Sequence, residues 1–230
     1  MGNFDVGQFI LRMVALIFSL SVHESAHAWM SSRFGDDLAR SQGRITLNPV
    51  AHVDPIGTLL FPAIGFFTGA PLIGWARPTP VNPLSWRNKR VANFWVSSAG
   101  VICNFIMAII AGIAIRVLFE MGIITTDALH IWPLVPANPD SAFAAGGVQL
   151  LQIFFTLNVG LGVFNLIPIP PLDGSGILSS VLPPSFESGI ESLNQFGFIL
   201  LYIAMFTGVL GGIFAVVLPI AIRLVFIGRL

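Results

Sequence analysis

Residues 9–30 read FILRMVALIFSLSVHESAHAWM. From Phe9 to Val22 the run is apolar apart from Arg12 and two serines, and the helical pattern continues to Met30, enough to cross about 30 Å of hydrocarbon. Its inner end carries His23, Glu24 and His27. On a helix, residues i and i+4 share a face, so both imidazoles can meet one Zn2+ while Glu24 reaches a metal-bound water as general base. Three ionisable groups at the end of a membrane span are costly and point to function. The residues before Phe9 include Asp5 but no Lys or Arg, and no small-residue cleavage site precedes His23. The segment is therefore expected to stay attached as a first span and not to be removed as a signal peptide.

The rest of the chain has the same character. Of 230 residues, 55% are hydrophobic and only 10% charged, against roughly a quarter in an ordinary globular domain. Eleven bases balance eleven acids, which excludes nucleic-acid binding by phosphate neutralisation. A single cysteine, Cys103, excludes an intramolecular disulfide framework and suits simple packing. The composition implies an all-α polytopic membrane protein with about four to six transmembrane segments.

Further spans are expected at Val91 to Leu118 and at Val148 to Ile167. The stretch Ile56 to Trp75 is apolar but interrupted by Gly57, Pro62, Gly65, Gly69, Pro71 and Gly74, and a strand-like run, Gly43 to Leu47, precedes it. Seven of the eleven bases (Arg33, Arg40, Arg44, Arg77, Arg87, Lys89 and Arg90) lie between the first span and the second, which marks that region as cytoplasmic. A full crossing at 56–75 would put four of them outside. The region near residues 43–75 is therefore expected to form a small membrane-associated β or re-entrant element, covered by protein. Phe196 to Ile227 is too long for one untilted span and short for two, so it reads either as one tilted span or as a tight hairpin; Arg223 and Arg229 favour a hairpin that returns to the basic side, but 32 residues are marginal for it. His130 falls in an outer loop.

Two histidines leave a catalytic zinc one protein ligand short. The best candidate is Asp173, in the run Asn165 to Gly174, where Pro168, Pro170 and Pro171 end a helix and carry the chain away extended. A turn acid before Gly174 is the alternative reading. Asp173 and the two histidines fall on the same side only if 56–75 does not cross. For an oxyanion donor, Asn165 is the first candidate and His52 the second. Asn104 reads as polar glue between helices, and Gly100, Gly208 and Gly212 as sites of close helix packing.

Three ordered motifs carry a family resemblance: the His23-Glu24-x-x-His27 helix; Asn48-Pro49-Val50-Ala51-His52-Val53-Asp54-Pro55; and Asn165-x-x-Pro168-x-Pro170-x-x-Asp173-Gly174. Together they resemble the site-2 protease family of intramembrane zinc metalloproteases, over roughly residues 8–176. The resemblance implies one Zn2+ per chain held by His23, His27 and Asp173, Glu24 as base, Asn165 associated with the active site, and a transmembrane protein substrate cut within the bilayer. The polar connection from Glu120 to Gly147 is too short for a PDZ or paired CBS domain, so the minimal form is implied: one membrane-embedded metalloprotease domain over residues 1–230, with a hydrophobic C-terminal segment at 196–227, in a prokaryotic cell membrane with its site toward the cytoplasm. A substrate helix must unwind to be cut, and the strand-like Arg44 to Leu47 could receive it by edge addition. The competing readings are a catalytically inactive zinc-site scaffold and a metal or small-solute transporter. Against transport, Glu24 between the two histidines is the hydrolase arrangement, and no inverted repeat is visible.

Overall fold

The computed structural model describes residues 5–69, 74–126, 131–138 and 140–228, and leaves aside the side chains of 184, 187, 188 and 190–194. Residues 70–73 of the 56–75 stretch, His130 and Arg229 lie outside the described residues. The helices are α1 (Val6–Arg33), α2 (Leu38–Ser41), α3 (Phe61–Thr68), α4 (Lys89–Glu120), α5 (Ala142–Asn165), α6 (Asp173–Val181), α7 (Glu187–Phe206) and α8 (Val209–Val225). Strands β1 (Ile124–Thr126) and β2 (Leu134–Pro136) lie between α4 and α5. Helices α1, α4 and α5 are long and apolar enough to cross a membrane, and the bent pair α7–α8 makes a fourth path.

Helices α1, α4 and α5 each start on a side chain that accepts an otherwise orphaned N–H. Asp5 accepts from Gln8, Asn88 from Val91 and Ser141 from Ala144. The caps fix where polar loop gives way to apolar helix. Bundle packing then separates two halves. Ala108, Ala111 and Ile115 of α4 pack with Val148, Phe155 and Val159 of α5, and with Ile124, Leu134 and Phe226, as an apolar core. At the other end of α4, its first turns meet Met30 and Phe34 through Trp86, Ala92 and Val96. The end of α1 and the start of α4 therefore share one level.

The segment between them does not cross. Pro55–Leu60 forms a wide π-type turn leading into α3, and Asp54 caps it by accepting from the N–H groups of Ile56 (3.0 Å) and Gly57 (2.6 Å). At the tip, Phe66 and Phe67 stack beside Phe9 in the first turns of α1, with ring centroids 5.1 and 5.9 Å away. The chain is back beside its starting point at Trp75, whose N–H donates to the Gly57 carbonyl (3.2 Å) and whose carbonyl accepts from Thr58 (2.8 Å). Arg77 N–H then donates to the His52 carbonyl (2.8 Å). Both ends are tied to each other, so the arm is re-entrant.

One expectation changes and one open alternative is narrowed. Gly43–Leu47 is not a strand: Arg44 N–H closes back onto Ala39 O (2.9 Å), and the Thr46 carbonyl is taken by the Ser25 hydroxyl and by His52. Side chains occupy the backbone groups that a sheet would need. The only β pairing among the described residues is the antiparallel β1–β2 hairpin, with Ile124 opposite Pro136 and Thr126 opposite Leu134. Of the two readings of the C-terminal stretch, the contacts follow the single path and not the hairpin. Helices α7 and α8 meet at 66° across Thr207 and Gly208, the latter left-handed at φ 78°. Gly197 in α7 lies against Pro170, while Arg116 near the end of α4 donates to the Val225 and Ile227 carbonyls past α8 (3.2 Å each). The pair thus runs once from the Asp173 end of the bundle to the Glu120 end, and Arg223 does not return to the basic side.

Candidate metal centre

His23 and His27 stand one turn apart on α1 with their Nε2 atoms 3.0 Å from each other. Asp173, first residue of α6, places Oδ2 3.3 Å from both. Ligand atoms about 2.0 Å from a tetrahedral ion lie about 3.3 Å apart, so this triangle has the size a bound zinc demands. These three residues are the one group of three or more His, Cys, Asp or Glu side chains gathered for a metal among the described residues.

The second nitrogens explain why the lone pairs face inward. His27 Nδ1 lies 2.7 Å from the Val96 carbonyl, an acceptor only, so Nδ1 carries the proton and Nε2 is free to ligate. His23 Nδ1 is 2.6 Å from Asn104 Oδ1, with the same consequence. Asn104 donates in turn to Asn158 Oδ1 on α5 (2.9 Å), and Asn158 donates to Ser19 Oγ back on α1 (2.9 Å). Asn104, Asn158 and Ser19 are completely buried. One polar chain therefore ties three spanning helices to the orientation of a single imidazole.

Asp173 Oδ2 is buried and accepts no hydrogen bond among the described residues, the condition of a ligand atom facing a cation. Helix α6 is seated by glycine at two points. A Cβ on Gly174 would collide with the Leu166 and Ile167 carbonyls, and one on Gly176 with Ser97 of α4. Asn93 of α4 donates to Gly176 O (3.0 Å), and Arg90 caps the far end of α6 at the Ser180 and Leu182 carbonyls (2.5 and 2.7 Å). Gly100 completes the pocket wall. A Cβ there would stand 2.5 Å from His23 Cε1 and from His27 Nε2, so α4 can pass this close only with a hydrogen at that position.

Glu24 is half-buried, and its Oε2 accepts from Thr79 N–H (2.9 Å) and the Thr79 hydroxyl (2.8 Å). His52 is buried, with Nε2 on the Thr46 carbonyl (2.8 Å) and 3.2 Å from Ser25 Oγ. Asn165 is half-buried and donates to Leu161 O in its own helix (3.0 Å). His52 does not belong to the His23–His27–Asp173 group. Thr79, Asn158 and Ser19 carry no motif; a lone Asn in an apolar span was the available signal for Asn158.

The sequence profile of peptidase family M50 matches residues 11–204. YwhC of Bacillus subtilis, provisionally named a zinc metalloprotease, is 37% identical over 199 residues, covering 86% of this chain and 81% of that protein. Two proteins named Rip2 with the same provisional description, from Mycolicibacterium smegmatis and Mycobacterium tuberculosis, are each 30% identical, over 88% and 90% of this chain and 69% and 71% of their own lengths. No solved structure matches the chain. A profile that takes in the His23–His27 helix, the re-entrant arm, Asp173 and most of α7 leaves one conclusion: the chain belongs to peptidase family M50, the site-2 protease family.

Proposed function

We propose that the protein is an intramembrane zinc endopeptidase that hydrolyses peptide bonds in or near transmembrane segments of membrane proteins. The observation that carries this reading is the inward-facing triangle of His23 Nε2, His27 Nε2 and Asp173 Oδ2, at 3.0 to 3.3 Å, with Glu24 adjoining it in the same helix. Bound there, Zn2+ would supply an activated water and polarise the scissile carbonyl. Glu24 takes the proton from the attacking water and hands it to the leaving amine. Asn104 and the Val96 carbonyl hold the two imidazoles in the ligating tautomer. Of the two oxyanion candidates, the reading retains Asn165, whose amide is held by one bond to Leu161 O, and gives His52, already engaged by Thr46 and Ser25, to the loop.

The seven bases around the α1–α4 junction favour a cytoplasmic location for that end and for the site. The α7–α8 pair, seated on Pro170 at one end and Arg116 at the other, supports reading residues 1–230 as one membrane-embedded domain. The test is cleavage of a co-expressed transmembrane substrate by wild type and Glu24→Gln, with zinc measured in both. Loss of cleavage at unchanged zinc content is the expected result. Equal cleavage removes Glu24 from the role of base, and a wild type that binds zinc but cuts nothing favours the inactive scaffold.

A further inference from the structure

The segment Arg77–Trp86 has no regular secondary structure apart from one 3-10 turn at Pro83–Ser85, yet it is pinned along its length. At its start, Arg77 N–H donates to His52 O (2.8 Å). Buried Arg44 donates to the Arg77 and Pro78 carbonyls (2.5 and 2.8 Å) and, through its other terminal nitrogen, to Ala51 O. Further along, Asn82 N–H donates to the buried Asp36 carboxylate (2.7 Å), which also accepts from Ser31 Oγ (2.8 Å). Trp86 Nε1 donates to the same Ser31 hydroxyl (2.8 Å). A buried cation and a buried carboxylate, neither of them near the metal ligands in sequence, therefore clamp the strap at two places.

Thr79 sits between those clamps. Pro78 and Pro80 flank it, and a residue before proline is driven to extended backbone, so Arg77 and Thr79 are both stiffened. The Thr79 N–H and hydroxyl both reach Glu24 Oε2 (2.9 and 2.8 Å). The hydroxyl also lies 3.0 Å from the Glu24 carbonyl, but it has one proton, and the ionised carboxylate is the stronger acceptor. Two donors on one oxygen fix the side-chain torsions of Glu24 and leave Oε1, which has no hydrogen bond among the described residues, for the reacting water.

We infer that Thr79 is the positioning residue for Glu24, and that the Arg44 and Asp36 clamps serve to hold it there. The inference rests on Glu24 acting as base. Its test uses the full chain, purified and loaded with zinc, with Thr79→Val (same shape, no hydroxyl), Thr79→Ser (hydroxyl kept) and Thr79→Ala as a second deletion should the valine unseat the strap. Infrared difference spectra against Glu24→Gln identify the Glu24 carboxylate stretch. That band is expected to shift in Thr79→Val and Thr79→Ala and to hold its position in Thr79→Ser. Turnover is expected to fall about tenfold in the first two, with KM changed by less than about twofold and zinc content constant, and to be largely restored in Thr79→Ser. An unmoved band in Thr79→Val and Thr79→Ala overturns the inference, as does a shifted band with undiminished turnover, or a serine variant as slow as the valine. Undiminished cleavage by Glu24→Gln overturns the base reading instead, so the two failures are distinct.

Discussion

Helices α4 and α8 are both apolar, each contains two glycines, and they are used in opposite ways. In α4, a Cβ on Gly100 would run into both imidazoles, Gly112 faces Phe155, and Asn104 is fully enclosed by His23 and Asn158. In α8, a Cβ on Gly211 or Gly212 would meet nothing within 4 Å among the described residues, and the flanking Val209 and Val216 are exposed. Composition does not separate the two helices; neighbours do. Glycine in a membrane helix marks a close approach only where another element comes to use it.

The largest effects should come from the face of α4 on the site. Gly100→Ala puts a methyl where two ligand rings must stand, and neither ring can retreat without giving up Val96 O or Asn104. Zinc affinity should fall by about 100-fold or more, a loss comparable to that of Asp173→Ala, read by metal content after dialysis against a graded chelator. Full occupancy in Gly100→Ala would show that the rings have room and would dissolve the contrast with α8. Asn104→Leu is expected to be milder. It frees His23 to adopt the wrong tautomer and leaves Asn158 without its partner, so zinc affinity should drop about tenfold and thermal stability by about 1 to 2 kcal/mol. Asn104→Asp keeps the acceptor that faces His23 Nδ1 and should recover most of the affinity but not the stability.

Gly197→Val tests a place where the C-terminal pair meets the site's surroundings. A Cβ at Gly197 would collide with the Pro170 backbone, three residues before Asp173. Cleavage should fall severalfold with zinc retained, because α7 is displaced while the triangle itself is untouched. Loss of zinc in this variant would mean that α7 helps to hold Asp173 and belongs with the site.

How much of this was legible follows from how local each signal is. His23, Glu24 and His27 repeat within one turn, so periodicity alone places them on one face. Asp173 was reachable because three prolines and a span end leave few routes for the chain, and the re-entrant arm because glycine and proline break it while arginines flank it. Contacts between distant segments left no such mark. Thr79 is 55 residues from Glu24, and Asn158 is 139 from Ser19. The strand-like alternation at Gly43–Leu47 misled because buried Arg44 and the Thr46 carbonyl are spent on side-chain bonds that alternation cannot reveal. The C-terminal stretch left two readings open because length and terminal bases pull opposite ways, and neither reveals that a left-handed Gly208 bends the chain by 66° instead of reversing it.

The smallest expected effect is at Gly212, and it is the most informative about α8. With no atom of the described residues within 4 Å of a Cβ there, alanine meets no clash, and the helix gains from the lower backbone entropy of the unfolded chain. Gly212→Ala should leave cleavage and zinc content unchanged and raise stability by about 0.5 to 1 kcal/mol, measured as a shift of the thermal midpoint in detergent. Gly208→Ala is the internal control. It too has open space, but φ of 78° is strained for any side chain, so it should lower the midpoint by about 1 kcal/mol. If Gly212→Ala instead slows cleavage while the purified protein stays as stable as wild type, then something outside this chain, such as a substrate helix, packs where α8 offers its glycines. In that case the two helices differ only in where the neighbour comes from.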